Sequence, residues 1–352
     1  MIENTFRKRH TIEMLALVSG GITALATVID NFVLHSVAAT PDPLIGPLVY
    51  TVLGYWAAVL ITPVCNLCLG RRMDAHFSGL TMQKETQKGA IVAGGITGLA
   101  TIFTFVGASL VDPSIALPLS AVYLVYLVCY ETVKKASSWR GLVAPVVLVM
   151  LGVAGTSTER WDMVSVSATA LVLLVVLGQG TQAVAQIAYQ RGVDTTNPVN
   201  FHFWRIAWST VVATMCTVLV VVVTHRTTEF FTAVQAGLPG LALCLPLRMI
   251  LLYLSEITRG RAYAAGGSAS EVAVLTTSRV LLGVPLTLLV SWLAPQAFGP
   301  LSNDPRIWVL RIVGAMLVFV GMALLQKISM KHEGRAFPLA LPLKRPLQTA
   351  RR

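Results

Sequence analysis

The chain has 352 residues, 55% of them hydrophobic and only 12% charged, where a soluble protein carries about 25% charged residues. Together with a mean hydropathy of +0.71, this excludes a water-soluble globular chain. The formal net charge of +11 would suit a nucleic-acid binder, but in so apolar a chain an excess of Lys and Arg reads as basic cytoplasmic loops.

In chain order, apolar windows bounded by Pro, Gly or charge clusters predict helices over 11–37, 44–69, 89–110, 113–133, 140–157, 163–190, 198–224, 237–259, 267–293 and 306–329. About 20 apolar residues span a hydrocarbon core of roughly 30 Å, so each window reads as a transmembrane helix. The first window contains Glu13 and runs on to Val37, which makes it a full span rather than the short apolar region of a signal peptide. Cys65 and Cys68 form a C-x-x-C in the second. No second Cys pair or paired His completes a metal set, so both are read as packing residues. No metal or other cofactor is expected. The final segment, "KHEGRAFPLALPLKRPLQTARR", is Pro-rich and basic without a helical period, as expected of a disordered tail near anionic lipid.

An even number of spans puts both termini on one side, and the positive charges choose the side. The N-terminal segment, the even-numbered connections and the tail hold twenty Lys and Arg, against Arg160, Arg226 and Arg306 in the other loops. The positive-inside rule then places both termini in the cytoplasm. Trp161, Trp292 and Trp308 fall at expected outer interfaces and Trp139 at an inner one, as an aromatic belt would have them.

The two halves of the chain align in order. "TPDPLIGPLVYTVLGYW" from Thr40 lies on "TTNPVNFHFWRIAWSTV" from Thr195, with Pro43 on Pro198 and Tyr50 on Arg205. "SIALPLSAVYLVYLVCYET" from Ser114 lies on "EVAVLTTSRVLLGVPLTLL" from Glu271, and "PVVLVMLG" from Pro145 on "GAMLVFVG" from Gly314. Five helices per half is odd, so the second half enters the membrane from the opposite face. The expected fold is therefore an all-α polytopic membrane protein with ten transmembrane helices in a 5+5 inverted-topology repeat. Its parts are a cytoplasmic segment (1–10), a first repeat (11–157), a second repeat (163–329) and a basic cytoplasmic tail (330–352). Two inverted halves can rock about a site near the midplane.

The stretches "VDPSIALPLSAVYLVYLV" (111–128) and "GGSASEVAVLTTSRVLLGVPLTLLVS" (266–291) each run from small residues into an apolar helix. In these, and in the N-P followed by Arg205 in "NPVNFHFWRIA", the chain resembles the drug/metabolite transporter superfamily, in particular its EamA-like members. The resemblance covers nearly everything but the tail. It departs at Tyr50, where an Arg would echo Arg205, and in the long inner loop from Arg71 to Lys88. It implies a central cavity lined largely by the fourth and ninth helices and their neighbours, and it does not supply a substrate.

Ionised side chains within a span cost roughly 3 to 10 kcal/mol or more, so they face protein or water and mark candidate sites. Arg248 and Arg279 lie near the centres of their spans, Asp30 in the outer half of the first, and Arg205, Glu256 and Glu271 toward the inner face. Glu256 and Glu271 are expected to pair with Arg261 or Arg205 near an inner gate. Asp30 is the one candidate partner for the mid-span arginines. Arg279 aligns with Val122, so the scaffold itself does not demand a charge there. It either ties helices together or meets an anionic substrate. Tyr123, Tyr126 and Tyr130 share a helical face that could line a polar cavity or simply pack, and Thr276, Thr277 and Ser278 add hydroxyls beside Arg279. Substrate contact is assigned to Arg279, Arg248, Tyr123, Tyr126 and Thr276, and coupling or gating to Asp30, Glu256, Glu271 and Arg205.

No Walker sequence, HExxH or GxSxG is present, and no catalytic residue is assigned. The expected function is secondary transport of a small polar or anionic metabolite, an amino acid among the candidates, across a bacterial inner (plasma) membrane by alternating access. Export of hydrophobic or cationic drugs, lipid-carrier flipping, and a receptor or assembly-subunit role are the alternatives. The expected partners are a small-molecule substrate and the lipid bilayer, with no nucleic acid, and self-association as a homodimer is left open.

Overall fold

The computed structural model describes residues 2–37, 42–74, 77–111, 116, 119–120, 122–134, 143–156, 158–160, 163–164, 167–193, 197–267, 269–276, 278–293 and 304–332. The expected disordered tail beyond His332, together with Pro118, Trp139, Trp161 and Thr277, lies outside them, while its first residues, Lys331 and His332, close the last helix.

The protein is an all-α polytopic membrane protein, and among the described residues seven helices are long and apolar enough to cross a bilayer. Helix α1 (Ile2–Phe32) ends in a π turn, Val33–Val37. It is followed by α2 (Ile45–Met73), α3 (Lys84–Ser109), α4 (Tyr123–Lys134) and α5 (Val143–Thr156). A small antiparallel hairpin, β1 (Thr158–Arg160) and β2 (Met163–Val164), joins α5 to α6 (Ala168–Val193). Then come α7 (Pro198–Val223), α8 (Thr227–Ala264), α9 (Ala269–Thr276), α10 (Ser278–Leu293) and α11 (Pro305–His332).

Local sequence explains several boundaries. The Asn197 side chain accepts from the amides of Val199 (2.9 Å) and Asn200 (3.2 Å), and Pro198 fills the first helical position of α7. An N-cap followed by Pro satisfies donors that the helix cannot. Helix α8 continues past the expected end at 259, because Arg259 and Arg261 sit on its last turns rather than in a loop. Gly266 stops it: a φ of +97° suits only a residue without Cβ, and the amides of Gly266 and Gly267 cap the carbonyls of Tyr263 and Ala262.

The spans bury their charged side chains and turn many large apolar ones outward. Leu67 and Leu243 are 88% and 81% exposed, whereas Arg205 and Glu256 are 3% and 7% exposed. Water would penalise that distribution, and lipid favours it, since hydrocarbon solvates the Leu side chains and the protein interior holds the charges. Within the C-x-x-C, Cys65 packs beside Phe77 and Tyr253 while Cys68 faces outward. Trp308 does not sit at an exposed interface: it is buried, with the Arg311 guanidinium 5.4 Å from its ring centroid.

Close helix packing positions the interior charges. At Gly98, an added Cβ would lie 2.7 Å from the Ser209 carbonyl, and at Gly94 it would collide with that of Arg205. These glycines let α3 lie directly against α7, and the Ser209 hydroxyl donates to the Gly94 carbonyl at 2.9 Å. Trp208 Nε1 donates to Gln87 at 2.9 Å and fixes the same pair nearer the N-terminal end of α3. The other main pairings are α1 with α8, α9 and α10; α2 with α7 and α8; α3 with α6; α4 with α6; and α5 with α11.

Candidate functional site

Packed this way, the helices enclose a cavity of ≈ 200 Å³. It is smaller than the roughly 300–1,000 Å³ of drug-sized sites. Its wall comes from α1, α2, α3, α6, α7, α8 and α10, with Ser120 ahead of α4. Four arginines reach it, Arg205, Arg248, Arg259 and Arg279, with two carboxylates, Asp30 and Glu256.

The charges form two groups on α8. Arg248 and Glu256 are eight residues apart, so about 12 Å separates them along the axis at 1.5 Å per residue. In the first group, Arg248 grips Asp30 with two parallel bonds, Nε to Oδ1 at 2.7 Å and Nη2 to Oδ2 at 3.1 Å. The Tyr50 hydroxyl also donates to Oδ1. A bidentate, buried pair of this type is electrically neutral and ties α1 to α8 and α2. About 10 Å further along α8, next to Glu256, a hydroxyl ladder joins α1 to α8: Ser19 Oγ donates to the Ser255 carbonyl at 2.9 Å, and Thr23 and Ser255 hydroxyls lie 2.5 Å apart.

In the second group one carboxylate serves two arginines. Glu256 Oε2 accepts from Arg205 Nη2 at 2.8 Å, and Oε1 faces Arg259 Nη1 at 3.0 Å. Arg205 also lies over the Tyr189 ring, 4.3 Å from its centroid, while the Tyr189 hydroxyl donates to the Glu256 carbonyl at 2.9 Å. Tyr263 donates to Gln186 at 2.9 Å in the same layer. His202 is buried nearby, edge-on to Tyr253 at 5.8 Å.

Arg279 is different. Its Nη2 donates to the Ser120 carbonyl at 2.8 Å and lies 3.3 Å from the Ser120 hydroxyl. Its guanidinium is 5.7 Å from the Tyr123 ring centroid. It pairs with no carboxylate among the described residues. Glu256 and Arg259 both lie within electrostatic reach of it, and the second of these repels it.

The expected site residues thus separate. Asp30, Arg205, Arg248, Glu256 and Arg279 converge on the cavity, with Tyr123 beneath Arg279. Tyr126, Thr276 and Glu271 stand off its described wall. Tyr126 is 37% exposed and its hydroxyl lies 3.3 Å from the Val175 carbonyl. The Thr276 hydroxyl is consumed by the Ala273 carbonyl at 2.8 Å, a habit of Thr in helices. Glu271 is buried, and Glu256 takes Arg259 rather than Arg261 as its second partner.

Sequence reasoning passed over Arg259, Tyr50, Gln179 and Gln182. The spacing of Arg259 from Glu256, one helical turn, was the signal for the first. Tyr50 donates to Asp30 as Arg205, with which the sequence alignment pairs it, donates to Glu256. The two glutamines were visible as amides in the apolar run "LGQGTQ".

No family model matches the chain, and no curated protein matches it. Among solved structures, one crystal structure of a protein aligns over 92% of this chain and 97% of its own, with a TM-score of 0.50 and 16% sequence identity. At that identity the likeness concerns the fold alone.

Proposed function

We propose that the protein is a secondary transporter that carries a small anionic metabolite across the membrane by alternating access. The observation that carries this reading is the charge of the cavity: four arginines face two carboxylates, and Arg279 meets only the neutral Ser120 and Tyr123, with no carboxylate in contact among the described residues. Burying a cation without a counter-charge is expensive, and an anionic solute entering the cavity supplies the missing charge. The excess positive charge works against the cationic-drug alternative, as does the outward position of Tyr126 and Tyr130.

The architecture we propose is ten spans in two inverted halves, α1 to α5 and α6 to α11, with α9 and α10 as one interrupted span. The helix pairings support it, because they occur in sets related by exchanging the halves. Helix α3 packs on α7 as α8 does on α2; α1 packs on α8 as α6 does on α3; and α1 packs on α9 and α10 as α6 does on α4. The twenty-to-three distribution of basic residues supports cytoplasmic termini in a bacterial inner membrane. Asp30 and Glu256 are assigned to gating rather than proton carriage, since protonating either would leave an arginine unpaired.

Uptake of labelled organic acids, sugar phosphates, amino acids and a lipophilic cation into proteoliposomes tests the reading. Saturable flux of an anion is expected. Flux of the cation with none of any anion would sink it.

A further inference from the structure

The two charge groups in the cavity are not equivalent. Arg248 and Asp30 cancel each other. Around Glu256, however, stand Arg205 and Arg259 in contact and Arg279 within electrostatic reach. Three positive charges face one negative charge, so the whole surplus of two is gathered at this end. The Nε–H groups of Arg205 and Arg259 also have no acceptor among the described residues, which marks this end as rich in donors.

The opposite end is rich in acceptors. Thr27 and Thr51 line the cavity within one turn of Asp30 and Tyr50, yet each hydroxyl proton is already given to a carbonyl four residues back, at 2.8 and 2.7 Å. What each hydroxyl turns to the cavity is its lone pairs. Gln179 adds a buried amide oxygen with no donor among the described residues. A ligand that fits must bring hydrogen-bond donors to this end and negative charge to the other.

Resting on the transport reading above, we infer that the site takes a small dianion on a hydroxylated body. Arg279, Arg259 and Arg205 bind its two charges, and the Thr and Gln acceptors bind its hydroxyls. Phosphate monoesters of short polyols and hydroxylated dicarboxylates share this chemistry. A monocarboxylate satisfies one of the two surplus charges, and a zwitterion brings an ammonium where the cavity offers only a carboxylate that Arg248 already holds.

The test uses purified full-length protein and four probes at pH 8, with dissociation constants from calorimetry. Glycerol 3-phosphate and malate each carry about two charges there; glycerate carries one, and serine is a zwitterion. A dianion is expected to bind about 10- to 100-fold more tightly than glycerate, the worth of one more charge-assisted contact. Which dianion wins separates the phosphate from the dicarboxylate source. In Arg279→Gln, and separately in Arg259→Gln, the gap between dianion and glycerate closes. Glycerate or serine matching the tighter dianion in the wild type would overturn the inference, whatever the variants do, as would failure of all four to bind. Tight dianion binding without uptake of that dianion into proteoliposomes would instead overturn the transport reading and leave the charge assignment standing.

Discussion

Replacing Glu256 with Gln removes the only carboxylate that touches Arg205 and Arg259 among the described residues. The substitution keeps the side-chain volume, so packing is preserved and charge alone changes. Both bonds are short, 2.8 and 3.0 Å, and the three residues are only 3–7% exposed, so water cannot replace the lost partner. Breaking a buried pair by deleting one member costs roughly 3–5 kcal/mol. At about 2 °C per kcal/mol for a chain of this size, the midpoint of thermal unfolding in detergent should fall by about 6–10 °C. The surplus charge of the cavity also rises from two to three, so glycerol 3-phosphate or malate should restore more of the midpoint than it adds to the wild type. Removing Arg259 as well, as Glu256→Gln with Arg259→Met, should recover part of the loss, because one orphaned guanidinium is gone. A fall under about 2 °C, with no recovery in the double variant, would mean that solvent screens the cluster and that its charge surplus has no force.

Three further outcomes follow from the same geometry. Asp30→Asn strands Arg248 and should cost roughly 3–5 kcal/mol in the same unfolding assay, whereas Asp30→Asn with Arg248→Gln should cost less than the single change. Gly98→Val forces a branched side chain onto the Ser209 carbonyl, 2.7 Å from the position of a Cβ; overpacking should cost about 1–3 kcal/mol and, by moving α7, weaken anion binding at Arg205. Arg226 and Asp42 form an ion pair between the α1–α2 and α7–α8 connections. Cysteines at those two positions, on a background lacking the five native cysteines, should allow a short thiol cross-linker to stop flux; unimpaired flux in the cross-linked protein would exclude relative movement of these two connections during transport.

What was legible in the sequence is set by what the bilayer enforces. Hydrocarbon demands helices of a minimum length, so apolar runs such as 198–224 located α7 (Pro198–Val223) within a residue. It also makes every interior charge conspicuous, which is why the sequence offers Asp30 as a partner for Arg248 or Arg279; the structure gives it to Arg248, at 2.7 Å. Arg259 was lost to the same rule, because a basic residue near an expected helix end reads as a cytoplasmic anchor. Only the continuation of α8 to Ala264 turns it inward. Tyr126 and Thr276 show another limit. Periodicity says which residues share a helical face, but the neighbouring helices decide whether that face meets the cavity. Helix α4 turns Tyr123 inward and Tyr126 outward although they are one turn apart.

The most direct test of the account is uptake of radiolabelled glycerol 3-phosphate and malate by proteoliposomes containing the wild type, Arg279→Gln or Arg279→Lys. Saturable uptake of at least one dianion is expected, falling about 10- to 100-fold at low substrate in Arg279→Gln and less in Arg279→Lys, which keeps the charge. Uptake of neither dianion above that of protein-free vesicles, or wild-type uptake by Arg279→Gln, would contradict the claim that this arginine awaits an anionic cargo.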